Sequence, residues 1–131
     1  MDAAKIVSKI SKEHGIIKNV YFLACGGSLV DLYPGYYFVR AESAVMDAQW
    51  IPAREFALTP PKKLGKNSLL IICSHSGKTK ECLEAAKVGM DAGAAVVTMT
   101  HAPGSPCDCE EWISVVYDWA PGVKEAQKPQ G

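Results

Sequence analysis

The stretch SLLIICSHSGKTKECLEAAKVGMDAG, residues 68–93, decides the fold class of this chain. Its first part, SLLIICS (68–74), is a continuous apolar run too short for a helix, which is typical of a strand buried on both faces. From Thr79 the apolar residues recur at helical spacing until Gly93, and glycine commonly follows the end of a helix. A buried strand followed directly by an amphipathic helix predicts a parallel α/β sheet.

The same alternation of strand and helix extends outward in both directions. Pro34 predicts a kink or a delayed start in the helix over 29–43. Residues 51–56 are predicted to form a loop or a short helical turn. Ser105-Pro106 predicts the N-cap and first position of a short helix ending near residue 111. We expect one domain over 1–131, a flavodoxin-like three-layer α/β/α sandwich with five parallel strands, ending in a polar tail (120–131). The further strands are predicted over 20–25, 44–49, 94–100 and 113–119, and the further helices over 2–14 and 29–43.

Composition restricts the functional class. The sequence holds 14 basic and 14 acidic residues, so it lacks the basic excess that nucleic-acid binding requires. Five scattered cysteines give an odd count without paired C-x₂₋₄-C spacings, which argues against a disulfide framework and a structural zinc site. No run reaches transmembrane length, and the N-terminus lacks the apolar core of a signal peptide. We expect a reduced, soluble, cytoplasmic protein with no metal, cofactor, nucleic-acid or membrane partner.

Gly77-Lys78-Thr79 looks like the end of a nucleotide-binding P-loop, G-x-x-x-x-G-K-[ST]. In that motif the leading glycine would stand at position 72, but the residue there is Ile72, inside the predicted strand. No phosphate-wrapping turn can form at that point, so the sequence argues against a P-loop. We interpret Lys78 as a surface lysine in the first helical turn rather than as a phosphate ligand.

The same loop suits a single phosphate group held in another way. Ser74, Ser76 and Thr79 bring three hydroxyls to the junction between a strand end and a helix start. The backbone N–H groups and the dipole of a helix N-terminus favour an anion there, and Gly77 allows the backbone to turn tightly. One such hydroxyl would indicate an ordinary cap, whereas the S-x-S-G-x-T spacing favours a phosphate site. Ligands bind at this carboxyl edge of open α/β sheets.

This S-x-S-G-x-T loop, together with ACGGS (24–28), closely resembles the ligand loops of the sugar isomerase (SIS) domain family. The resemblance extends over most of the chain and includes Ser105-Pro106 and the strand ISVVYD. Gly27 stands where the family commonly has a hydroxyl residue, so one hydrogen bond of the family is not expected here. The resemblance implies a phosphosugar site formed by Ser74, His75, Ser76, Gly77 and Thr79 in one loop and Cys25, Gly26, Gly27 and Ser28 in the other.

Within the family, the sequence is most similar to fructosamine-6-phosphate deglycases, which are relatives of the isomerase domain of glucosamine-6-phosphate synthase. The resemblance implies an enzyme that opens the ring of a fructosamine 6-phosphate and moves protons at C1 and C2 through an acid and a base. The catalytic groups of that subgroup lie in a second SIS domain. The resemblance therefore implies the N-terminal half of a two-domain protein, partnered by that domain or by another subunit. The alternative is a non-catalytic sugar-phosphate-sensing module, a role that SIS domains also have in bacterial regulators.

Other titratable residues are weaker candidates for catalysis. His101 and Glu125 follow predicted strands, but we interpret each as a loop residue rather than as the base. Glu55 follows the second strand and has little further support. His14 ends a helix, where a basic side chain is favourable without any functional role. Cys25 stands beside a helix N-terminus, which can activate a thiol, but no histidine or acid is tied to it by sequence, so we interpret it as structural.

Overall fold

The apolar runs of the sequence form one parallel sheet. A computed structural model describes residues 3–25, 27–44 and 46–117 of the chain. Every pair of neighbouring strands is parallel, and the order across the sheet is β2-β1-β3-β4-β5, which confirms the predicted five-stranded α/β fold. The strands are β1 (Asn19–Ala24), β2 (Asp47–Pro52), β3 (Ser68–Cys73), β4 (Ala95–Thr100) and β5 (Ile113–Val116). The helices of the described residues are α1 (Ala3–His14), α2 (Gly27–Glu42), α3 (Ala53–Leu58) and α4 (Lys80–Asp91).

Helices cover both faces of the sheet because successive side chains of a strand point to opposite sides. Tyr21 of β1 packs on Phe56 of α3, with ring centroids 5.5 Å apart, in a core that also contains Cys82 of α4. The next residue, Phe22, points the other way and contacts Tyr36 of α2 at 6.5 Å. Helix α1 packs on this second face, against β4 and β5. The sheet is therefore the middle layer of an α/β/α sandwich.

The bounds of β2 and α2 differ from the sequence prediction. Strand β2 runs over Asp47–Pro52 rather than over 44–49, and its side chains are exposed or half-buried. It lies at the edge of the sheet, so it lacks the continuous apolar run that marks a central strand. Helix α2 begins at Gly27 and continues through Pro34 to Glu42, so the delayed start predicted from the proline does not occur.

The short helix predicted after Ser105-Pro106 is also wrong, because residues 101–112 are turns and bends. In a helix the Cys107 carbonyl would accept a bond from a backbone N–H four residues later. Here it accepts hydrogen bonds from Thr98 Oγ1 at 2.8 Å and from Trp112 Nε1 at 3.0 Å. These side-chain donors, which depend on the tertiary fold, hold the segment as a packed loop.

Some predicted features lie outside the described residues, namely Gly26, Glu125 and the polar tail over 120–131. Strand β5 is described as far as Val116, three residues short of the predicted end. Across 3–25, 27–44 and 46–117, no helix has both the length and the apolar character needed to cross a membrane.

Candidate functional site

The carboxyl ends of the neighbouring strands β1 and β3 define the candidate site. Ala24 and Cys73 are register partners at these ends. The chain leaves β1 for α2 on one face of the sheet and leaves β3 for α4 on the other, so the two connecting loops diverge at this point. Open α/β sheets bind ligands at such a switch point. Both loops that the sequence suggests for ligand binding start here.

Ser74 shapes the loop after β3 from the inside. Its side chain is buried, with 1% exposure, and its Oγ lies 2.8 Å from Thr79 Oγ1. The same oxygen accepts a hydrogen bond from the Gly77 backbone N–H at 3.1 Å. The Ser74 N–H donates to the Met99 carbonyl on β4 at 2.9 Å. Ser74 therefore connects the end of the sheet to the start of α4 and holds the loop in a closed turn.

Gly77 lets this loop lie directly against the loop after β4. Its φ of +71° belongs to the left-handed region that favours glycine. A Cβ added here would overlap Ser105 Oγ and stand 2.8 Å from Thr100 Oγ1. The Gly77 carbonyl accepts a hydrogen bond from the Cys107 N–H at 3.0 Å. The glycine expected from the sequence as a turn residue is thus also a packing contact between two loops.

Ser76, Lys78 and Thr79 complete the loop. The Ser76 hydroxyl is half-buried and accepts a hydrogen bond from the Lys78 N–H at 3.3 Å. Thr79 is half-buried at the N-cap of α4. Lys78 is exposed, which agrees with its interpretation as a surface residue. Two partly accessible hydroxyls therefore stand next to the first turn of α4, where backbone N–H groups and the helix dipole attract an anion.

Ser28, at the start of α2, contacts the end of β3, where the serine loop (residues 74–79) begins. Gly27 begins α2, and Ser28 is buried with 2% exposure. Its hydroxyl makes a hydrogen bond with the thiol of Cys73 at the end of β3. Burial, followed by the negative charge of Asp31, raises the pKa of Cys73, so this thiol remains protonated at neutral pH. A serine and a neutral cysteine therefore connect the start of α2 with the end of β3.

Cys25 is not activated as a nucleophile. Its thiol is half-buried and makes hydrogen bonds with the Cys82 thiol and the Ala53 backbone. Burial first, and the negative charge of Glu81 second, raise the pKa of Cys25. A nucleophilic cysteine needs a lowered pKa, so the structure supports the structural interpretation of this residue.

Tyr117, which the sequence reasoning missed, lies at the same edge. It follows β5, and its hydroxyl makes a hydrogen bond with the Cys73 thiol. Burial, followed by the interaction with Cys73, raises the pKa of Tyr117 to about 12, so the hydroxyl keeps its proton at neutral pH. The sequence carries no local signal for this contact, since it depends on β5 being two strands away from β3.

His75 and His101 are brought together, although they come from different loops. Their imidazole rings stack with centroids 5.2 Å apart and an interplanar angle of 3°. The His75 carbonyl accepts hydrogen bonds from the His101 N–H and from Thr100 Oγ1, each at 3.2 Å. Both imidazoles are half-buried. His101, which the sequence suggests to be an ordinary loop residue, therefore packs against His75 of the serine loop.

The other candidates lie apart from this cluster. Glu55 is exposed on α3. His14 ends α1 with Nδ1 3.1 Å from the Lys66 carbonyl, and it lines a cavity of about 280 Å³ with Lys9 and Trp112 near the opposite edge of the sheet. Within the described ranges, no three His, Cys, Asp or Glu side chains are arranged to hold a metal ion.

Comparison with known proteins finds relatives that match most of the chain. The sequence is 41% identical over 103 residues to the fructosamine deglycase FrlB of Bacillus subtilis, a match that spans 79% of this chain. It is 31% identical over 113 residues to a glutamine–fructose-6-phosphate aminotransferase (isomerizing) of Clostridium tetani, which spans 86% of this chain. No protein-family model matches the sequence.

A solved structure repeats the fold. The crystal structure of a Salmonella typhimurium protein assigned as a phosphosugar isomerase superposes with a TM-score of 0.84 and 36% identity, over 98% of this chain. The chain spans 31% of the length of the deglycase, 18% of the aminotransferase and 40% of the Salmonella protein. Each relative is thus much longer than the chain described here.

Proposed function

The chain is a sugar isomerase (SIS) domain, and from that premise we propose that it binds a 6-phosphorylated sugar at the carboxyl edge of its sheet. The observation that carries the proposal is the serine loop, which sets two half-buried hydroxyls, Ser76 and Thr79, beside the N-terminus of α4. Hydroxyls donate hydrogen bonds without adding charge, and the helix end supplies the electrostatic attraction for a phosphate dianion.

The second loop supplies contacts for the sugar itself in this proposal. Gly26, Gly27 and Cys25 would approach the substrate through their backbone groups, and Ser28 would fix the position of that loop through Cys73. Ser74 has a similar internal role, since its buried hydroxyl is bonded to Thr79 and Gly77. The buried serines therefore shape the site, while the half-buried hydroxyls contact the ligand.

The reaction we propose is deglycation or isomerisation of a fructosamine 6-phosphate. It is supported by the 41% identity to a fructosamine deglycase and by the likeness to aminotransferases that use fructose 6-phosphate. Chemistry at C1 and C2 would use a base and an acid from a second SIS domain or from another copy of the chain. The free cysteines of the described residues fit a reducing compartment, and we place the protein in the cytoplasm on that ground.

Thermal unfolding with ligands tests the binding site. Fructose 6-phosphate at 100 times its Kd should stabilise the chain by roughly 2.7 kcal/mol, a shift of several degrees, because it binds only the folded state. ATP should give no shift. The double variant Ser76→Ala/Thr79→Ala should lose the fructose 6-phosphate shift, and its unliganded melting temperature should fall because the buried Ser74 hydroxyl loses its bond to Thr79.

The matched control removes two hydroxyls elsewhere. Ser8→Ala/Ser11→Ala, on the exposed face of α1, should keep the full shift. Stabilisation by ATP without stabilisation by fructose 6-phosphate would overturn the proposal. Binding of fructose 6-phosphate without turnover, even when a second SIS domain is supplied, would favour the sensing module over the enzyme.

A further inference from the structure

Two of the five free thiols meet at the carboxyl edge of the sheet. The thiol of Cys25, directly after β1, makes a hydrogen bond with the thiol of Cys82 in the first turn of α4. The Cys82 sulfur also lies 3.6 Å from the Cys73 carbonyl oxygen at the end of β3. The two cysteines come from separate segments of the chain, so the fold creates their contact. The proposed phosphosugar site uses neither sulfur atom.

The two thiols differ in their access to solvent. Cys25 is half-buried, whereas Cys82 is 1% exposed and belongs to the hydrophobic core under α4. A small oxidant reaches the Cys25 sulfur from solvent and finds the Cys82 sulfur next to it. An accessible thiol beside a second thiol that can resolve it is the arrangement of redox-sensitive cysteines.

The other cysteines lack this combination. The thiol of Cys73 is hydrogen-bonded to the hydroxyls of Ser28 and Tyr117. Cys107 is fully buried in the loop before β5. Cys109 is half-buried, so it is the matched accessible thiol outside the pair. The contact between Cys25 and Cys82 therefore joins a solvent-accessible thiol to a thiol of another segment.

We propose that Cys25 and Cys82 form an oxidation site, where a hydroperoxide converts the two thiols to a disulfide and the bound phosphosugar is released. The effect on the ligand rests on the proposed phosphosugar site. The disulfide itself does not depend on that site, since no ligand takes part in its formation.

One molecule of hydrogen peroxide balances the reaction. The Cys25 sulfur attacks one peroxide oxygen, the O–O bond breaks, and the thiol proton leaves with the departing oxygen as the first water. The Cys82 sulfur then attacks the Cys25 sulfenic acid, so that an S–S bond forms, the S–O bond breaks and a second water leaves. The two thiols lose two electrons and two protons, and the peroxide is reduced to water.

Burial keeps this site reduced under ordinary conditions. Burial first, and the charge of Glu81 second, raise the pKa of Cys25, and burial also raises the pKa of Cys82. Little thiolate, the reactive form, is present at neutral pH, so oxidation is slow there. The site responds to sustained oxidation, in line with the transient disulfides of a reducing compartment.

The disulfide moves the loop that follows β1. A sulfur–sulfur bond is about 2.05 Å long, much shorter than a contact between two thiols. Cys82 is fixed in α4 by the core, so the displacement falls on Cys25 and on the chain that continues into Gly27. In the proposed phosphosugar site this segment approaches the sugar through its backbone, so the oxidised loop no longer fits the ligand.

Peptide mapping without reductant, after hydrogen peroxide treatment of the full chain, tests the oxidation site. The wild type should lose two of its five free thiols and give one cross-linked product that contains Cys25 and Cys82. Its rate of formation should rise roughly tenfold per pH unit below the thiol pKa, as the thiolate fraction does. Dithiothreitol should restore all thiols. Absence of this cross-link, or a predominant cross-link between other cysteines, would overturn the proposal.

Thermal unfolding with fructose 6-phosphate measures the consequence for the ligand. Oxidised wild type should lose the stabilisation by fructose 6-phosphate, and dithiothreitol should restore it. Cys82→Ala cannot form the bond, so it should keep its ligand-induced shift before and after peroxide treatment. Cys109→Ser, which removes the other half-buried thiol, should respond to peroxide as the wild type does.

The two measurements separate this proposal from the phosphosugar site. A disulfide between Cys25 and Cys82 that leaves the fructose 6-phosphate shift unchanged would overturn the control of ligand binding. A reduced chain that does not bind fructose 6-phosphate would overturn the phosphosugar site and the release of ligand together. The peptide map decides independently whether the two thiols are an oxidation site.

Discussion

Gly77 connects backbone conformation to the geometry of the site at the scale of a single residue. Its positive φ and its contact with Ser105 leave no space for a side chain. We expect Gly77→Ala to lower the free energy of unfolding by about 2–4 kcal/mol, since backbone strain adds to the displacement of Ser105. Chemical denaturation measures this loss.

Gly104 is the matched control for Gly77. It has a φ of +75°, but a Cβ there would meet no atom within 4 Å. Gly104→Ala should therefore cost only the backbone strain, about 1–2 kcal/mol. Equal costs for the two substitutions would contradict the role of Gly77 as a contact between loops.

Because of Cys107, we expect the free energy of unfolding to fall as the pH rises into the alkaline range. Burial, with a smaller contribution from Cys109, raises the pKa of the fully buried Cys107 thiol from 9.0 to about 11. The unfolded chain loses this proton first as the pH rises, so the stabilisation is complete below pH 9 and disappears by about pH 11. Urea unfolding across this window should show a loss of roughly 3 kcal/mol from this group.

The variant Cys107→Ala isolates that effect. It loses packing at every pH, but its free energy of unfolding should fall less steeply between pH 9 and 11 than that of the wild type. A profile with the same slope in both proteins would assign the alkaline instability to other groups.

The sequence could propose the residues of the serine loop because their spacing is local, and their role as a phosphate site stays a prediction. Sequence reasoning did not find Tyr117 or the pairing of His75 with His101, because these contacts depend on which strands are neighbours. The amino-acid pattern of a loop reports its own turn, while the partner loop across the sheet is set by strand order. Long-range contacts of this kind carry no local signal in one sequence.

At the scale of an element, helix α4 contains a buried glycine, although glycine ordinarily destabilises the interior of a helix. Gly89 is buried, and a Cβ there would overlap Leu70 Cδ2 of β3 and lie 3.1 Å from Val96 Cγ2 of β4. Replacing a helical glycine by alanine usually adds about 1 kcal/mol of stability. Here we expect Gly89→Ala to destabilise the fold by about 1–3 kcal/mol, because the helix must move away from the sheet.

A double-mutant cycle tests this explanation. Leu70→Val removes the Cδ atoms that the new methyl group would meet. The cost of Gly89→Ala measured by denaturation should shrink in the Leu70→Val background, which indicates direct coupling. Strictly additive costs would show that close helix–sheet contact is not the cause.

Elements were predictable where one physical signal dominated. Strands β1, β3 and β4 are buried on both faces and read as continuous apolar runs. The loop around Cys107 was predicted as a helix because its Ser-Pro start is a genuine helix signal. Side chains of Thr98 and Trp112, from outside that start signal, decide the outcome by taking the Cys107 carbonyl.

At the scale of the whole molecule, helix α2 presents exposed apolar side chains on the surface. Val30, Tyr37 and Phe38 are 66%, 58% and 67% exposed, although a helix that is apolar on all sides is normally covered. The formal net charge of zero gives no overall repulsion between copies of the chain. We expect the isolated chain to self-associate through α2, which light scattering would detect as a molar mass above 14.1 kDa.

Charged substitutions on this helix should reverse the association. Tyr37→Glu/Phe38→Glu should give a monomer, because burying two carboxylates in an apolar interface is costly. Val7→Glu, at an exposed apolar position on α1, serves as the control and should leave the association unchanged. A wild-type chain that is monomeric at high concentration would contradict the prediction.

The central position of β1 has a consequence for how the chain reaches its native state. Its pairing with β3 joins Asn19 to Ser68, 49 residues apart, and the sheet contains no hairpin between its neighbouring strands. Every pairing must therefore close a long loop before it gains contacts, which slows folding. On the ribosome, the edge of β1 that pairs with β3 has no native partner until β3 has emerged. Synthesis speed over the segment between β2 and β3 thus sets how long an aggregation-prone edge is exposed.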